Sequence, residues 1–198
     1  MNEFFEKLKI YKKNIVDLNT VVATKFVKFL NKFPFLTPNL ITIIAFVLAG
    51  VIGPIFILKK FYTTASFIIL FGFWLDSVDG NFARNNGMVT KEGAILDSVL
   101  DRYSDLFILS SIIISCPKYL ILGLLAIIGS SMVPYVRARI EGVGEKAPGT
   151  FASREIRCVI ILAGLMFHQI FLMLFILAVL TNLSALHRLY NGIIKKDI

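Results

Sequence analysis

Acidic residues recur at helical spacing between residues 76 and 101, inside strongly apolar sequence. One helix face of the first half carries two acids and two small residues at relative positions i, i+3, i+4 and i+7: Asp76, Asp79, Gly80 and Ala83. The second half steps by four along another stripe: Gly93, Asp97, Asp101 and Asp105. Carboxylates that share a small pocket repel each other unless they are protonated or bridged by cations. An all-oxygen ligand set suits Mg²⁺, which keeps open positions for substrate phosphates, so the segment predicts a metal and phosphate site.

The elements that must position these acids are predicted to be membrane helices. The chain is 57% hydrophobic and 17% charged, with a mean hydropathy of +0.77, which is outside the range of ordinary soluble proteins. Apolar runs of about 20 residues are long enough to span the hydrocarbon core. We predict an all-α integral membrane protein with six transmembrane helices, at residues 39–58, 62–83, 94–116, 120–140, 151–167 and 169–190. The last two come from one apolar stretch that we divide at residues 168–169, because a single helix would overshoot the bilayer.

The distribution of basic residues predicts the orientation in the cell membrane. With a cytoplasmic amino terminus, the six spans put all of the 21 lysines and arginines on the cytoplasmic side except Lys59, Lys60 and Lys118. This multi-pass arrangement also puts the carboxylate motif on the cytoplasmic side. The net charge of +8 fits anionic headgroups and phosphorylated substrates. No nucleic-acid-binding motif is present, so nucleic acid is not an expected partner.

The amino-terminal residues form a separate juxtamembrane segment. Residues 1–36 interleave lysines with phenylalanine and aliphatic residues, which predicts an amphipathic interfacial helix. Residues 37–198 then form one membrane domain. Cys116 and Cys158 are predicted on opposite sides of the membrane, so we expect neither a disulfide nor a metal site from them.

Two other interpretations of the acids are open at this point. The aspartates can be structural ion-pair partners of Arg84 and Arg102, although two arginines account for only two of the four carboxylates. Asp105 lies deeper, three residues after Arg102, and fits either a local ion pair or a catalytic role. A cation-binding transporter also uses intramembrane carboxylates. It has no need for Arg84, which lies one turn beyond Gly80 and is suited to a bidentate phosphate contact.

The pattern D-x-x-D-G-x-x-A-R-x₈-G-x₃-D-x₃-D resembles the signature of the CDP-alcohol phosphotransferases, and every signature position is filled. The resemblance implies transfer of a phosphoalcohol from a CDP-alcohol to an acceptor hydroxyl with release of CMP, by a protein that is a homodimer. It implies two divalent metals, Mg²⁺ or Mn²⁺, on Asp76, Asp79, Asp97 and Asp101, with Asp101 also the general base. It further implies a CDP site that is lined by Asp79, Gly80, Ala83, Arg84 and Gly93.

Two further segments resemble parts of this family. Residues 37–42 resemble its stretch beside the nucleotide, which implies that Asn39 and Thr42 bind CDP. The alternative is ordinary helix-start chemistry, with Thr37 as the cap and Pro38 in the first turn.

Residues 135–142 and 153–157 resemble phosphatidylinositol phosphate synthases and their archaeal counterparts. This implies inositol 1-phosphate as acceptor and a phosphate clamp of Arg137, Arg157 and Arg188. Ser153 departs from the subfamily, where an acid is usual, as does Arg137, where Lys is common. The alternative role for these arginines is to face lipid headgroups. The alternative acceptor is glycerol 3-phosphate, which a phosphatidylglycerophosphate-type synthase uses. The lipid donor is CDP-diacylglycerol or CDP-archaeol, and membrane lipids surround the protein.

Overall fold

The computed structural model describes residues 27, 30–33 and 35–194, and within these ranges it is helical with no strand. The helices run in chain order as α1 (Pro38–Phe46), α2 (Gly53–Leu58), α3 (Tyr62–Asn85), α4 (Lys91–Ser115), α5 (Leu120–Gly142), α6 (Arg154–Met166) and α7 (Ile170–Ile194). A π-helical stretch, Val47–Ile52, joins α1 to α2, and a 3₁₀ turn, Pro117–Tyr119, precedes α5. The all-α prediction is therefore confirmed for the described residues. The predicted amphipathic helix of residues 1–36 lies mostly outside them.

Two threonines cap the amino-terminal ends of α1 and α4. The Thr37 hydroxyl accepts a hydrogen bond from the Leu40 N–H at 3.2 Å, and Pro38 occupies the first turn of α1. The Thr90 hydroxyl accepts one from the Gly93 N–H at 3.0 Å at the start of α4. The helix-start interpretation of residues 37 and 38 is confirmed, and both caps hold the backbone where predicted nucleotide-binding residues follow.

Three helical stretches of the described chain are long and apolar enough to cross a membrane. They are Pro38–Leu58, Pro117–Gly142 and Ile170–Ile193, with mean hydropathies of 2.7, 1.9 and 2.2. A hydrocarbon core of about 30 Å requires about 20 helical residues, which each stretch supplies. Many large apolar side chains on the outside of the protein are exposed, as lipid-facing surfaces require.

The remaining predicted spans also coincide with helices, but these are more polar or shorter. Helices α3 and α4 carry the acidic motif. Helix α6 begins only at Arg154 and has 13 residues, so it is shorter than the predicted span 151–167 and covers about 20 Å. The predicted break at residues 168–169 is present, since α6 ends at Met166 and α7 begins at Ile170. His168 makes this turn with a φ of 56°.

The core lies where α2 to α7 meet in the middle of the bundle. Its fully buried members come from all six of these helices and include Ile57, Ile69, Ile108, Ala126, Leu165 and Leu174. Helix α1 packs on both α3 and α4, and α6 packs on α3 and α7. At Gly72 the backbones of α3 and the π-helical stretch come close, because a Cβ there would lie 2.7 Å from the Cβ of Ala49. The packing thus holds α3, α4 and α6 around the acidic motif.

Candidate active site

Three carboxylates of the motif converge between α3 and α4. Asp76, Asp97 and Asp101 each offer an oxygen, and these oxygens all lie within 4.8 Å of one another. The two helices make few direct contacts because α1 packs against both of them, and the carboxylates and a cavity lie in the remaining space. The predicted helix faces are nevertheless the ones that meet.

The fourth carboxylate, Asp79, is held by α1. It is buried, with a relative exposure of 7%, and its Oδ2 accepts a hydrogen bond from the Thr42 hydroxyl at 2.5 Å. Asp79 and Asp97 line the same cavity, although Asp79 is outside the group of three. A buried carboxylate needs such a partner, because hydrocarbon cannot solvate its charge. Thr42 therefore fixes Asp79 on the wall that the nucleotide is expected to contact.

An open cavity of about 700 Å³, which includes space continuous with the surface, lies beside the acids. Its lining includes all seven residues predicted to bind CDP: Asn39, Thr42, Asp79, Gly80, Ala83, Arg84 and Gly93. Arg84 is held against the wall by a 2.9 Å hydrogen bond from its Nη2 to the Asn81 side-chain oxygen. At Gly93 a Cβ would lie 3.0 Å from the side-chain oxygens of Asn39 and Thr90, so a side chain here would require these neighbours to shift by a few tenths of an ångström.

Arg154 is a component of the site that the sequence analysis did not assign. It is the first residue of α6, and its Nη1 lies 2.7 Å from Asp76 Oδ2 while its Nη2 lies 2.6 Å from Asp101 Oδ1. Its guanidinium carbon also lies 5.2 Å from the centre of the Phe73 ring. The available signal was charge balance, since four acids at membrane depth require cations. The spacing of residues within α3 and α4 does not indicate which distant arginine pairs with these acids.

The deeper acid, Asp105, pairs across the bundle. Its Oδ2 accepts a 2.7 Å bond from Arg157 Nη2, and Arg157 also donates to the Ala152 carbonyl at 3.0 Å. Both side chains are nearly inaccessible. The predicted alternative of a local pair with Arg102 is not adopted; Arg102 lies 3.8 Å from Asp101 instead. Asp105 and Arg157 thus tie α4 to α6.

The three arginines predicted to bind the acceptor phosphate have different surroundings. Arg137 is exposed and pairs with Glu141 at 2.8 Å. Arg157 is buried with Asp105, and Arg188 is buried and donates to the carbonyls of Pro148 and Val133 at 3.1 and 2.8 Å. Buried hydrogen bonds to protein groups thus hold Arg157 and Arg188, whereas the pair of Arg137 with Glu141 is exposed.

Cys116 and Cys158 are both free and half-buried. Cys116 lies at the end of α4, where its Sγ is 3.2 Å from the Tyr62 hydroxyl.

Residues 35–189 match the CDP-alcohol phosphatidyltransferase family. The chain belongs to this family. It is therefore an enzyme that acts on CDP-alcohols, and together with the three apolar spans this makes it a multi-pass membrane protein. The family assignment excludes the transporter interpretation, because a transporter needs no nucleotide-transfer signature.

Two named relatives come from an archaeon and a mycobacterium. The archaetidylinositol phosphate synthase of Pyrococcus horikoshii is 36% identical over 159 residues, covering 79% of this chain and 84% of the relative. The phosphatidylinositol phosphate synthase of Mycobacterium tuberculosis is 31% identical over 137 residues, covering 65% of this chain and 62% of the relative.

A solved structure shares the fold. The crystal structure of the Mycobacterium tuberculosis phosphatidylinositol phosphate synthase with CDP-DAG bound superposes with a TM-score of 0.80 at 23% identity, covering 86% of this chain and 93% of that chain. A second crystal structure of that protein contains manganese and citrate, with a TM-score of 0.80. At this level of identity the match establishes a common helical architecture.

Proposed function

We propose that this protein transfers a phosphatidyl or archaetidyl group from CDP-diacylglycerol or CDP-archaeol to a hydroxyl of inositol 1-phosphate, with release of CMP. One observation carries the proposal: the cavity that contains all seven predicted nucleotide-binding residues also reaches Asp97, beside the other acids. We propose that a CDP group binds in this cavity with its diphosphate next to the carboxylates. The names of the archaeal and mycobacterial relatives support inositol phosphate as the acceptor.

The carboxylates fit a pair of divalent metals. Asp76, Asp79, Asp97 and Asp101 offer only oxygen ligands, and three of these acids have oxygens within 4.8 Å of one another. Such a donor set suits Mg²⁺, with Mn²⁺ as an alternative, and we propose two ions in the site. When bound, the ions neutralise charge on the diphosphate and on the leaving CMP.

Asp101 is the proposed general base. It takes the proton of the acceptor hydroxyl as the hydroxyl oxygen forms a bond to the phosphorus on the lipid side, and the bond from this phosphorus to the CMP oxygen breaks. In this structure its Oδ1 lies 2.6 Å from Arg154 Nη2. A general base depends first on its position within hydrogen-bonding reach of the proton that it accepts.

The cavity wall binds the nucleotide. Thr42 holds Asp79, the small residues at 80, 83 and 93 leave space for CDP, and Asn39 lies at the edge beside Gly93. We propose that Arg84 binds a phosphate of CDP, because its guanidinium is held on this wall by Asn81.

The acceptor phosphate is proposed to bind between Arg137, Arg157 and Arg188. Arg137 is the accessible member, and its exposed pair with Glu141 is easily exchanged for a phosphate. Arg157 and Arg188 each use two of five N–H donors in the bonds described above, which leaves donors for an anion. A phosphorylated acceptor also fits a phosphatidylglycerophosphate-type synthase, whose acceptor is glycerol 3-phosphate, so the acceptor must be tested directly.

The membrane arrangement is part of the proposal. We propose that residues 37–198 form one domain with six spans, that the amino terminus and the site face the cytoplasm, and that the enzyme is a homodimer. The distribution of lysine and arginine supports this orientation.

The test is release of CMP by the purified protein in lipid bilayers with Mg²⁺. CDP-diacylglycerol and CDP-archaeol are compared as donors, with inositol 1-phosphate, glycerol 3-phosphate, serine and free inositol as acceptors. We expect release only with inositol 1-phosphate. A preference for glycerol 3-phosphate would overturn the acceptor and retain the reaction, whereas no release with either donor and any of the acceptors would refute the proposal.

A further inference from the structure

The guanidinium of Arg154 lies between the carboxylates of Asp76 and Asp101, as a cation bound to both acids would. Nη1 contacts Asp76 at 2.7 Å and Nη2 contacts Asp101 at 2.6 Å, so one planar group bridges acids from two different helices. Both of these acids belong to the group whose oxygens lie within 4.8 Å of one another. The arginine therefore contacts two of the carboxylates that are proposed to hold metal.

We propose that Arg154 is a built-in counter-ion that competes with the divalent cation for Asp76 and Asp101, so that metal binding displaces it. The inference rests on the proposed metal-binding role of these acids. A guanidinium and a divalent cation repel each other strongly at a few ångströms in a partly buried site. A divalent cation held by Asp76 and Asp101 would compete with the guanidinium for the negative charge of the same two carboxylates.

The surroundings of Arg154 favour reversible release. Its Nε atom is buried without a hydrogen-bond partner, so the contacts that hold the group are the ion pairs at its tips and the Phe73 ring at 5.2 Å. Arg154 is also the first residue of α6, at the end of a helix. Release breaks the ion pairs of Arg154 with Asp76 and Asp101, and the divalent cation then neutralises these two carboxylates in its place. Arg154 is thus a positioning residue that acts through the metal ligands and keeps the metal-free site balanced in charge.

The experiment measures Mn²⁺ affinity by electron paramagnetic resonance, with purified protein in lipid nanodiscs and no nucleotide. We expect Arg154→Gln to bind Mn²⁺ at least about tenfold more tightly than the wild type, because a competing positive charge is lost. Arg154→Lys keeps the charge and should stay closer to the wild type. Arg139→Gln removes an exposed arginine away from the carboxylates and is the matched control, with unchanged affinity.

Thermal unfolding gives a second measurement that does not depend on activity. In EDTA, Arg154→Gln should unfold at a lower temperature than the wild type, because the acids then lack a cation. Saturating Mn²⁺ should raise its unfolding temperature by more than that of the wild type. Equal Mn²⁺ affinity in the two proteins, or weaker binding by Arg154→Gln, would overturn the inference and leave the proposed function intact. No Mn²⁺ binding by either protein would instead overturn the metal role of the acids and the inference together.

Discussion

Burial determines the energetic value of the ion pair between Asp105 and Arg157, and the protein contains a matched exposed pair for comparison. Asp105 and Arg157 are 2.7 Å apart, with relative side-chain exposures of 9% and 3%. Glu141 and Arg137 are 2.8 Å apart, with exposures of 47% and 62%. Asp105→Asn leaves a buried guanidinium without a counter-charge, so we expect a loss of about 3–5 kcal/mol in the free energy of unfolding. Glu141→Gln makes the same chemical change in an exposed pair and should cost about 0.3–0.5 kcal/mol.

The assay is unfolding of the purified protein in mixed micelles, titrated with SDS and followed by circular dichroism. The double variant Asp105→Leu/Arg157→Met should recover most of the loss, because a buried ion pair can be replaced by apolar groups at little cost. If Asp105→Asn cost no more than Glu141→Gln, the conclusion that this pair is a buried link between α4 and α6 would be refuted.

Three further predictions concern the reaction. Asp101→Asn should lower CMP release at least about a hundredfold while binding of the CDP-lipid stays largely intact, because the variant lacks the base; near-normal turnover would contradict the mechanism. Gly93→Ala should raise the KM for the CDP-lipid, because its Cβ would crowd the side-chain oxygens of Asn39 and Thr90 at 3.0 Å. Gly149→Ala is its control, since a Cβ there meets nothing within 4 Å, and equal KM values would argue against a tight fit at residue 93. Treatment with EDTA should abolish CMP release, and Mg²⁺ or Mn²⁺ should restore it, whereas activity that persists in EDTA would exclude the metal role.

Much of the fold and of the candidate site was predictable because helical periodicity is local. A spacing of three or four residues places Asp97 and Asp101 on one face of a helix, whatever packs against that helix. The apolar runs likewise predict where helices occur, and the turn at His168 was found where the apolar stretch was divided. The seven residues predicted to bind CDP were assigned from the family resemblance, and they line one cavity because α1 packs against both α3 and α4.

Pairings between distant helices were not predictable, because spacing within one helix does not encode how another helix approaches it. Arg154 pairs with Asp76, which is 78 positions away in the chain. Asp105 pairs with Arg157 and not with the nearby Arg102. In each case the close approach of α6 to α3 and α4 decides which arginine neutralises which acid. The sequence by itself therefore determined the chemical groups and the helix faces that carry them. Only the tertiary structure decided their partners, because burial makes an unpaired charge costly and the packing of distant helices determines which arginine lies within reach of Asp76, Asp101 and Asp105.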